Sequence, residues 1–243
     1  MHFTSEQLLD DGIVERHFTL GEIPGIVWTP PNRPGPVPLI LMGHPGGLQR
    51  MYPRLLGRAR RAIADGFATA SIELPGSGER PRIPALDEAR VDLRRAIQAG
   101  TRVSDDIVDR LVLPLVDQSV PEWQEALDAL LALPEIGGPV GYSGGVISIG
   151  VRLAAVEPRI AAVGLFAGSF VPRSILDEAR QVTIPAHVLL QWDDESNDRH
   201  AALELFDALG SPEKTLLANM GGHTGVPSHA GEHAARFFAR HLR

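Results

Sequence analysis

The chain has 243 residues, 44% of them hydrophobic, which is enough to bury a sizeable core in one large domain or two small ones. Its formal net charge of -7 disfavours a general nucleic-acid surface or an anionic-membrane surface, because both need a basic stripe. The absence of cysteine excludes disulfides, thiolate metal sites and a cysteine nucleophile, so any covalent chemistry must come from oxygen or nitrogen.

Neither a targeting segment nor a membrane span is predicted. The first residues, MHFTSEQLLDDGIVER, lack a basic segment followed by a long apolar run, and a run of about 18 apolar residues occurs nowhere. We therefore expect a cytoplasmic protein whose partners are small molecules rather than nucleic acids or membranes.

Eight short apolar runs, rich in β-branched residues, predict the strands of the fold. They are residues 13–20, 25–30, 38–44, 67–74, 139–143, 160–168, 186–192 and 214–220. Runs this short and continuous are typical of strands buried on both faces, as in a parallel sheet. The first two runs are more hairpin-like than the rest.

Helical patterns separate the later runs. Apolar side chains recur at helical intervals over residues 52–65 and 198–209, and these patterns end at Gly66 and Gly210, which can adopt the left-handed conformation that follows a helix. A further helix is predicted to begin at residues 119–122, SVPE, because they have capping-box spacing.

This alternation predicts one three-layer α/β domain over residues 1–243, with an eight-stranded, mostly parallel sheet between helices on both faces. Residues 80–118 form an arginine- and aspartate-rich stretch that is too long for a plain connection. Its apolar positions indicate helices. We expect a helical insert that is either a lid over the site or a packed insert with no direct role.

Residues 141–145, GYSGG, match the pattern G-x-S-x-G directly after a predicted strand and directly before a helical run. Such a turn leaves the serine backbone strained and its hydroxyl above the sheet, and the flanking glycines avoid the clash. The start of the following helix also favours negative charge nearby. Ser143 is therefore the candidate nucleophile, although a glycine turn with a small residue would look the same in isolation.

A serine nucleophile needs a base, and His223 is distinguished from the other histidines by its position. It follows the last predicted strand on the glycine-rich loop ANMGGHTGVP, from which a ring can reach across the edge of the sheet. The other histidines lie in predicted helices, inside a strand or near the start of the chain. His44, after the third strand, is interpreted as a structural ring that holds its loop.

The base needs a carboxylate to orient it, and the strand that ends at Trp192 is followed at once by Asp193 and Asp194. This is the edge where open α/β sheets place their sites. At most one of the two is expected to meet His223, and their positions leave the choice open. Trp192 either contacts the substrate or fills the end of the sheet.

Backbone N–H donors for a developing oxyanion are predicted on two loops. The loop GHPGGLQR leaves the N–H groups of Gly46 and Gly47 unobstructed, and Gly144 directly follows the serine. We expect Gly46 and Gly144 to be the donors and Gly47 to contact the substrate. No H-E-x-x-H motif and no cluster with ligand spacing occurs, so neither a metal nor a cofactor is expected.

The chain order Ser143, Asp194, His223 resembles that of the α/β-hydrolase superfamily, and the resemblance covers nearly the whole chain. The matching motifs are GHPGG, ELPGSGER, GYSGG, WDDE and GGH, which follow the third, fourth, fifth, seventh and eighth predicted strands. Aligning DESND with the family's common Asp-x-x-Val-Pro selects Asp194 over Asp193, although Val-Pro is missing here. Glu73 replaces the family's usual aspartate, which indicates a structural role.

Within the superfamily, the sequence is similar to small esterases grouped with dienelactone hydrolase and prolyl-oligopeptidase-like enzymes, although dienelactone hydrolases proper are expected to have cysteine at the elbow. The resemblance implies a serine hydrolase that cleaves a carboxylic ester or thioester through an acyl-enzyme on Ser143. A non-hydrolytic binding protein or a lyase on the same scaffold is the alternative. Arg80, Arg82 and Arg173 are candidates to attract a carboxylate on the substrate.

Overall fold

The computed structural model describes residues 1–31, 34–166, 168, 170–195 and 197–243. Its strands are β1 (His2–Leu8), β2 (Val14–Leu20), β3 (Ile23–Thr29), β4 (Val37–Gly43), β5 (Ala68–Ile72), β6 (Ile136–Gly144), β7 (Ile160–Phe166), β8 (Ala186–Gln191) and β9 (Lys214–Asn219). Its helices are α1 (Leu48–Ala64), α2 (Pro84–Gln98), α3 (Asp105–Leu131), α4 (Ile147–Val156), α5 (Arg173–Ala179), α6 (Arg199–Ala208) and α7 (Ser228–His241).

The strands form one sheet in the order β1-β2-β3-β5-β4-β6-β7-β8-β9. The pairs β1–β2, β2–β3 and β3–β5 are antiparallel, and every pair from β5–β4 onward is parallel. Because β4 to β9 run in the same direction, their C-terminal ends meet at one edge of the sheet. That edge is where an open α/β sheet places its ligands.

Two hydrophobic clusters cover the two faces of the sheet. One face packs against α1 and α7, with Leu55 and Phe238 among the buried side chains. The other face packs against α2 to α6, with Leu86, Trp123 and Leu205 in its cluster. The predicted three-layer α/β architecture is therefore confirmed.

The sheet has nine strands in the described part of the chain rather than the predicted eight. The additional strand is β1, which pairs with β2 at the edge of the sheet. Six of its seven side chains are exposed, including Leu8. Its sequence, HFTSEQL, therefore lacks the apolar pattern of a strand buried on one or both faces.

The stretch 80–118 is helical, as predicted, but the helix start predicted at 119–122 is wrong. Helix α3 begins after Ser104, whose side chain accepts a hydrogen bond from the Ile107 N–H at 3.4 Å, and it continues to Leu131 through two prolines. Ser119 lies inside it and is only 1% exposed. The long buried face of α3 outweighs the hydrogen bonds that the prolines remove.

Helix α3 joins the predicted insert to the rest of the fold. Its first half lies within residues 80–118, and the helix packs against α4 and β6, where the Trp123 ring meets the Tyr142 ring edge-on with 5.7 Å between centroids. Helix α2 packs against α3. None of the helices in the described ranges has both the length and the hydropathy needed to cross a bilayer.

Candidate active site

The loops after β8 and β9 are tied together by several hydrogen bonds at the C-terminal edge of the sheet. The Trp192 N–H donates to the Asn219 carbonyl at 2.7 Å, and the Asp193 N–H donates to the Gly221 carbonyl at 3.1 Å. The Gln191 side chain adds a bond from Nε2 to the Gly222 carbonyl at 3.1 Å. The two loops therefore carry their next residues to neighbouring positions.

Those next residues are Asp194 and His223, which form a hydrogen-bonded pair. The His223 Nδ1–H donates to Asp194 Oδ2 at 2.8 Å. The Asp194 side chain is 3% exposed, whereas that of His223 is 42% exposed. Because the carboxylate holds the Nδ1 proton, Nε2 of the ring is left to accept a proton from another group. Asp193 is exposed and does not take this place.

Three further residues, none of them predicted to lie in the site, contact the pair. Asn197 Nδ2 donates to Asp194 Oδ2 at 2.8 Å and lies 3.3 Å from His223 Nδ1. The Phe166 ring meets the His223 ring edge-on, with 5.6 Å between centroids. Glu195 Oε2 accepts the His223 N–H at 3.2 Å. Asn197 stands three residues after Asp194 in the motif DESND. This closeness in sequence to the predicted acid is the signal that could have identified Asn197 as a site residue.

Ser143 lies near the end of β6, at the same edge of the sheet. It is paired with Met42 of β4 and Gly164 of β7, so its backbone is still extended. The left-handed residues are Gly144 and Gly145, with φ of 76° and 79°. The backbone strain expected at the serine is therefore placed at the two glycines that follow it, for which these angles cost little.

The two outer glycines of GYSGG are required by close packing. A Cβ at Gly141 would lie 2.8 Å from Leu242 Cδ1, because the C-terminal helix packs against β6. A Cβ at Gly145 would lie 2.8 Å from the Gly43 Cα, because β4 and β6 approach each other closely there. Close packing on both sides of Ser143 therefore explains the two outer glycines of the motif.

The structure does not join the Ser143 hydroxyl to the pair by a hydrogen bond, as far as the described residues show. It brings Asp194 and His223 together and leaves Ser143 at the end of a neighbouring strand. Catalytic hydrogen bonds are often long in free enzymes and tighten only when the substrate binds.

The loop after β4 carries His44, Gly46 and Gly47. The His44 ring donates from Nε2 to the Ile72 carbonyl at 2.9 Å, which fits the structural role predicted for it. Burial lowers the pKa of His44 to about 4, so the ring is neutral at neutral pH. Gly47 is the residue before α1, and a Cβ at Gly46 would make only an ordinary contact, 3.9 Å from Met51 Cγ.

Glu73 supports this loop from the end of β5. Its Oε2 accepts the Leu48 N–H at the start of α1 at 2.9 Å, and its Oε1 accepts the Leu74 N–H at 3.1 Å. Burial raises the pKa of Glu73, and these two bonds act in the opposite direction. The structural role inferred for Glu73 agrees with these contacts.

Three of the predicted substrate contacts, Arg80, Trp192 and Arg173, have protein partners. Arg80 has a side chain only 8% exposed and forms a bidentate pair with Glu122, with bonds of 2.7 and 2.6 Å. Its fork is therefore not available to a carboxylate on a substrate, contrary to that expectation. The Trp192 ring is covered by the Arg199 guanidinium, whose Cζ lies 4.2 Å from the ring centroid. Arg173 is exposed and lies 3.4 Å from Asp105.

A cleft of about 470 Å³ lies near the pair. Glu195 and Asn197, which contact the pair, line this cleft together with several apolar side chains, whereas Ser143, Asp194 and His223 are not among its lining residues. The apolar residues are Val103, Val108, Phe170, Val171, Pro172 and Leu176. The described residues include no group of three or more His, Asp or Glu side chains arranged to hold a metal ion.

The chain resembles several solved esterase structures. No protein-family model matches it, and no curated protein matches it significantly. A cold-adapted esterase from an Arctic intertidal metagenomic library is 27% identical, with a TM-score of 0.78 and full coverage of both chains. The native structure described for such an esterase from that library is 25% identical, with a TM-score of 0.74 and full coverage.

A more distant match shares the fold. Dienelactone hydrolase from Anabaena variabilis is 20% identical, with a TM-score of 0.61, and the match covers 98% of this chain and 99% of that one. In this chain, the motifs that follow β4, β5, β6, β8 and β9 lie at one edge of the sheet. The chain therefore has the fold of the α/β hydrolases.

Proposed function

We propose that the protein is a serine hydrolase that cleaves a carboxylic ester or thioester. The observation that carries the proposal is the buried Asp194 carboxylate bonded to His223 Nδ1 at the strand edge that also holds Ser143. The solved structure that matches the full chain at 27% identity is an esterase, which supports the same class of reaction.

In the proposed reaction, Ser143 Oγ attacks the carbonyl carbon while His223 Nε2 takes the hydroxyl proton. The tetrahedral intermediate collapses, the leaving alcohol or thiol receives that proton, and an acyl group remains on Ser143. Water then attacks the acyl-enzyme with His223 as the base, which releases the acid and restores the serine. Asp194 orients the ring, and the N–H groups of Gly46 and Gly144 would stabilise the oxyanion.

The cleft beside the pair fits a small substrate. Its volume of about 470 Å³ lies within the range of ligand pockets. Acidic residues outnumber basic ones along its wall, and Arg173 already has Asp105 near it. We therefore expect uncharged acyl groups to be preferred over groups that carry a second carboxylate.

Fluorophosphonate labelling tests the nucleophile, together with a series of p-nitrophenyl esters of graded chain length and a set of acyl-CoA thioesters. Wild-type protein should be labelled and should hydrolyse at least one ester or thioester, and Ser143→Ala should lose both properties. Ser148→Ala is a matched control, because this buried hydroxyl on α4 has no hydrogen-bond partner in the described structure.

Two results would contradict the proposal. Equal labelling of the wild type and of Ser143→Ala would show that another residue reacts. A native protein that is neither labelled nor active on any ester or thioester would favour a binding protein or a lyase on the same fold.

A further inference from the structure

Arg58 of α1 lies behind the turn that carries the candidate nucleophile. Its side chain is partly buried. One guanidinium nitrogen, Nη1, donates to the Gly43 carbonyl at 3.0 Å, and the other, Nη2, donates to the Ser143 carbonyl at 2.6 Å. A Cβ at Gly144 would lie 3.1 Å from Nη2. Arg58 therefore bonds the ends of both β4 and β6, the strands that lead into the two loops with the expected oxyanion donors.

Arg58 differs from Arg80, the other buried arginine near this edge. Arg80 is paired with the Glu122 carboxylate through both ends of its fork. No carboxylate lies within ion-pair distance of Arg58 among the described residues, and backbone carbonyls accept its hydrogen bonds. Burial lowers the pKa of Arg58 to about 10, so the guanidinium remains charged at neutral pH. A cation without an acidic partner is a costly way to fasten a helix to a sheet.

The two carbonyls that Arg58 binds belong to the peptide groups that open the two loops. The peptide bond is planar and trans, so the direction of a carbonyl fixes the direction of the N–H on its other side. The Ser143 carbonyl shares its peptide group with the Gly144 N–H, and the Gly43 carbonyl shares its own with the His44 N–H. Donation from a charged group to the carbonyl also polarises the amide and strengthens its N–H as a donor.

We infer that Arg58 is a positioning residue for the proposed hydrolysis: it holds the Ser143–Gly144 peptide so that the Gly144 N–H faces the developing oxyanion. The inference rests on the proposed function, and it adds a residue that touches neither the substrate nor the reacting atoms. The effect is exerted mainly in the transition state, because the oxyanion is fully formed only there. A guanidinium that merely fastens α1 to the sheet would have no such selective effect.

The test compares Arg58→Gln and Arg58→Lys with the wild type. Glutamine has one planar donor group and no charge, and lysine keeps the charge but loses the fork. Arg54→Gln is the matched control, because Arg54 is exposed on the same helix. Ester turnover, the rate of fluorophosphonate labelling and thermal unfolding are measured for each, after Ser143-dependent activity of the wild type is established.

For Arg58→Gln we expect kcat and the labelling rate to fall together, by roughly 10- to 100-fold, with KM changed by less than about 2-fold. Arg58→Lys should retain more activity than Arg58→Gln, and Arg54→Gln should match the wild type. The pH dependence of kcat/KM should keep its shape, since the His223–Asp194 pair is untouched.

The inference is wrong if folded Arg58→Gln turns over ester and is labelled at wild-type rates. It is also wrong if neither Arg58→Gln nor Arg58→Lys folds, because the role of Arg58 is then structural. Absence of Ser143-dependent turnover in the wild type would contradict the proposed function itself, so the two failures are distinguishable.

Discussion

Two buried carboxylates in this protein each bind a histidine, and their surroundings differ. Glu15 of β2 is 0% exposed and lies 3.0 Å from the Nε2 of His17, whose side chain is 41% exposed. Asp194 and His223 have nearly the same separation and the same exposures, 2.8 Å with 3% and 42%. The geometry of the pair alone therefore does not distinguish a structural contact from a candidate catalytic one.

The difference lies in what else each carboxylate binds and where it stands. Glu15 also accepts hydrogen bonds from the Trp28 indole at 2.6 Å, the Tyr52 hydroxyl at 2.8 Å and the Gln7 amide at 2.7 Å. It lies within an antiparallel strand, where it ties neighbouring strands and α1 together. Asp194 stands at the C-terminal edge of the parallel strands, beside a cleft. The candidate site is thus distinguished by its position at that edge and not by the exposure of its histidine.

The largest expected effect concerns the acid of the candidate site. Asp194→Asn removes the charge that stabilises the imidazolium and favours the wrong ring tautomer, so kcat should fall about 10⁴-fold. Thermal unfolding should change little by comparison. Asp193→Asn is the control, because Asp193 is exposed and should tolerate the change within about 2-fold. Comparable losses in the two variants would contradict the assignment of Asp194.

For Glu15→Gln we expect a loss of stability rather than of activity, measured by chemical denaturation. In the variant, the amide nitrogen of the glutamine would face hydrogen-bond donors that bond to a carboxylate oxygen in the wild type. The free energy of unfolding at pH 7 should therefore fall by about 3 kcal/mol. Turnover per folded molecule should not change. Glu22→Gln, at an exposed turn between β2 and β3, should leave the stability within about 0.5 kcal/mol.

The pH dependence of stability sharpens the test of Glu15. Burial alone would raise the pKa of Glu15, but hydrogen bonds from Tyr52, Trp28, Gln7 and His17 outweigh it and hold the pKa below the usual 4.5. The ionised form is thus favoured in the folded state, and its contribution is lost as the pH falls below that value. The gap between the wild type and Glu15→Gln should therefore narrow in acid, and a constant gap would contradict this account.

The smallest effect is expected at Asn197, whose side-chain amide donates a hydrogen bond to Asp194. Asn197→Ala removes one donor to Asp194 and should lower kcat by about 10-fold. Equal turnover by the wild type and Asn197→Ala would show that this hydrogen bond does not influence the pair.

The parallel part of the fold was predictable because its strands are continuous apolar runs. Eight of the nine strands were recognised in this way. Strand β1 was missed because its stability comes from backbone pairing with β2, and its side chains are mostly exposed. The helix start predicted at 119–122 is wrong because a local capping pattern carries no information about the apolar face that continues across Pro121.

The candidate site was predictable to the extent that the ends of parallel strands share an edge. That rule alone predicts that Asp194, His223 and Ser143 lie near one another. It could not find Arg58, since 85 residues separate it from the carbonyl it binds at Ser143, and nothing in the helical pattern of α1 distinguishes it from the other arginines there. Long-range contacts to backbone atoms leave no local pattern in the sequence.

The unbroken path of α3 has a mechanical consequence for residues 80–118. A separate flap could swing on flexible connections, but one end of this insert is a rigid rod that also packs against α4 and β6. Displacement of the first half of α3 against its second half must bend the helix, and bending costs least at Pro114 and Pro121, where backbone hydrogen bonds are already missing. A substrate that displaced the start of α3 would therefore transmit force to the helical layer that supports β6.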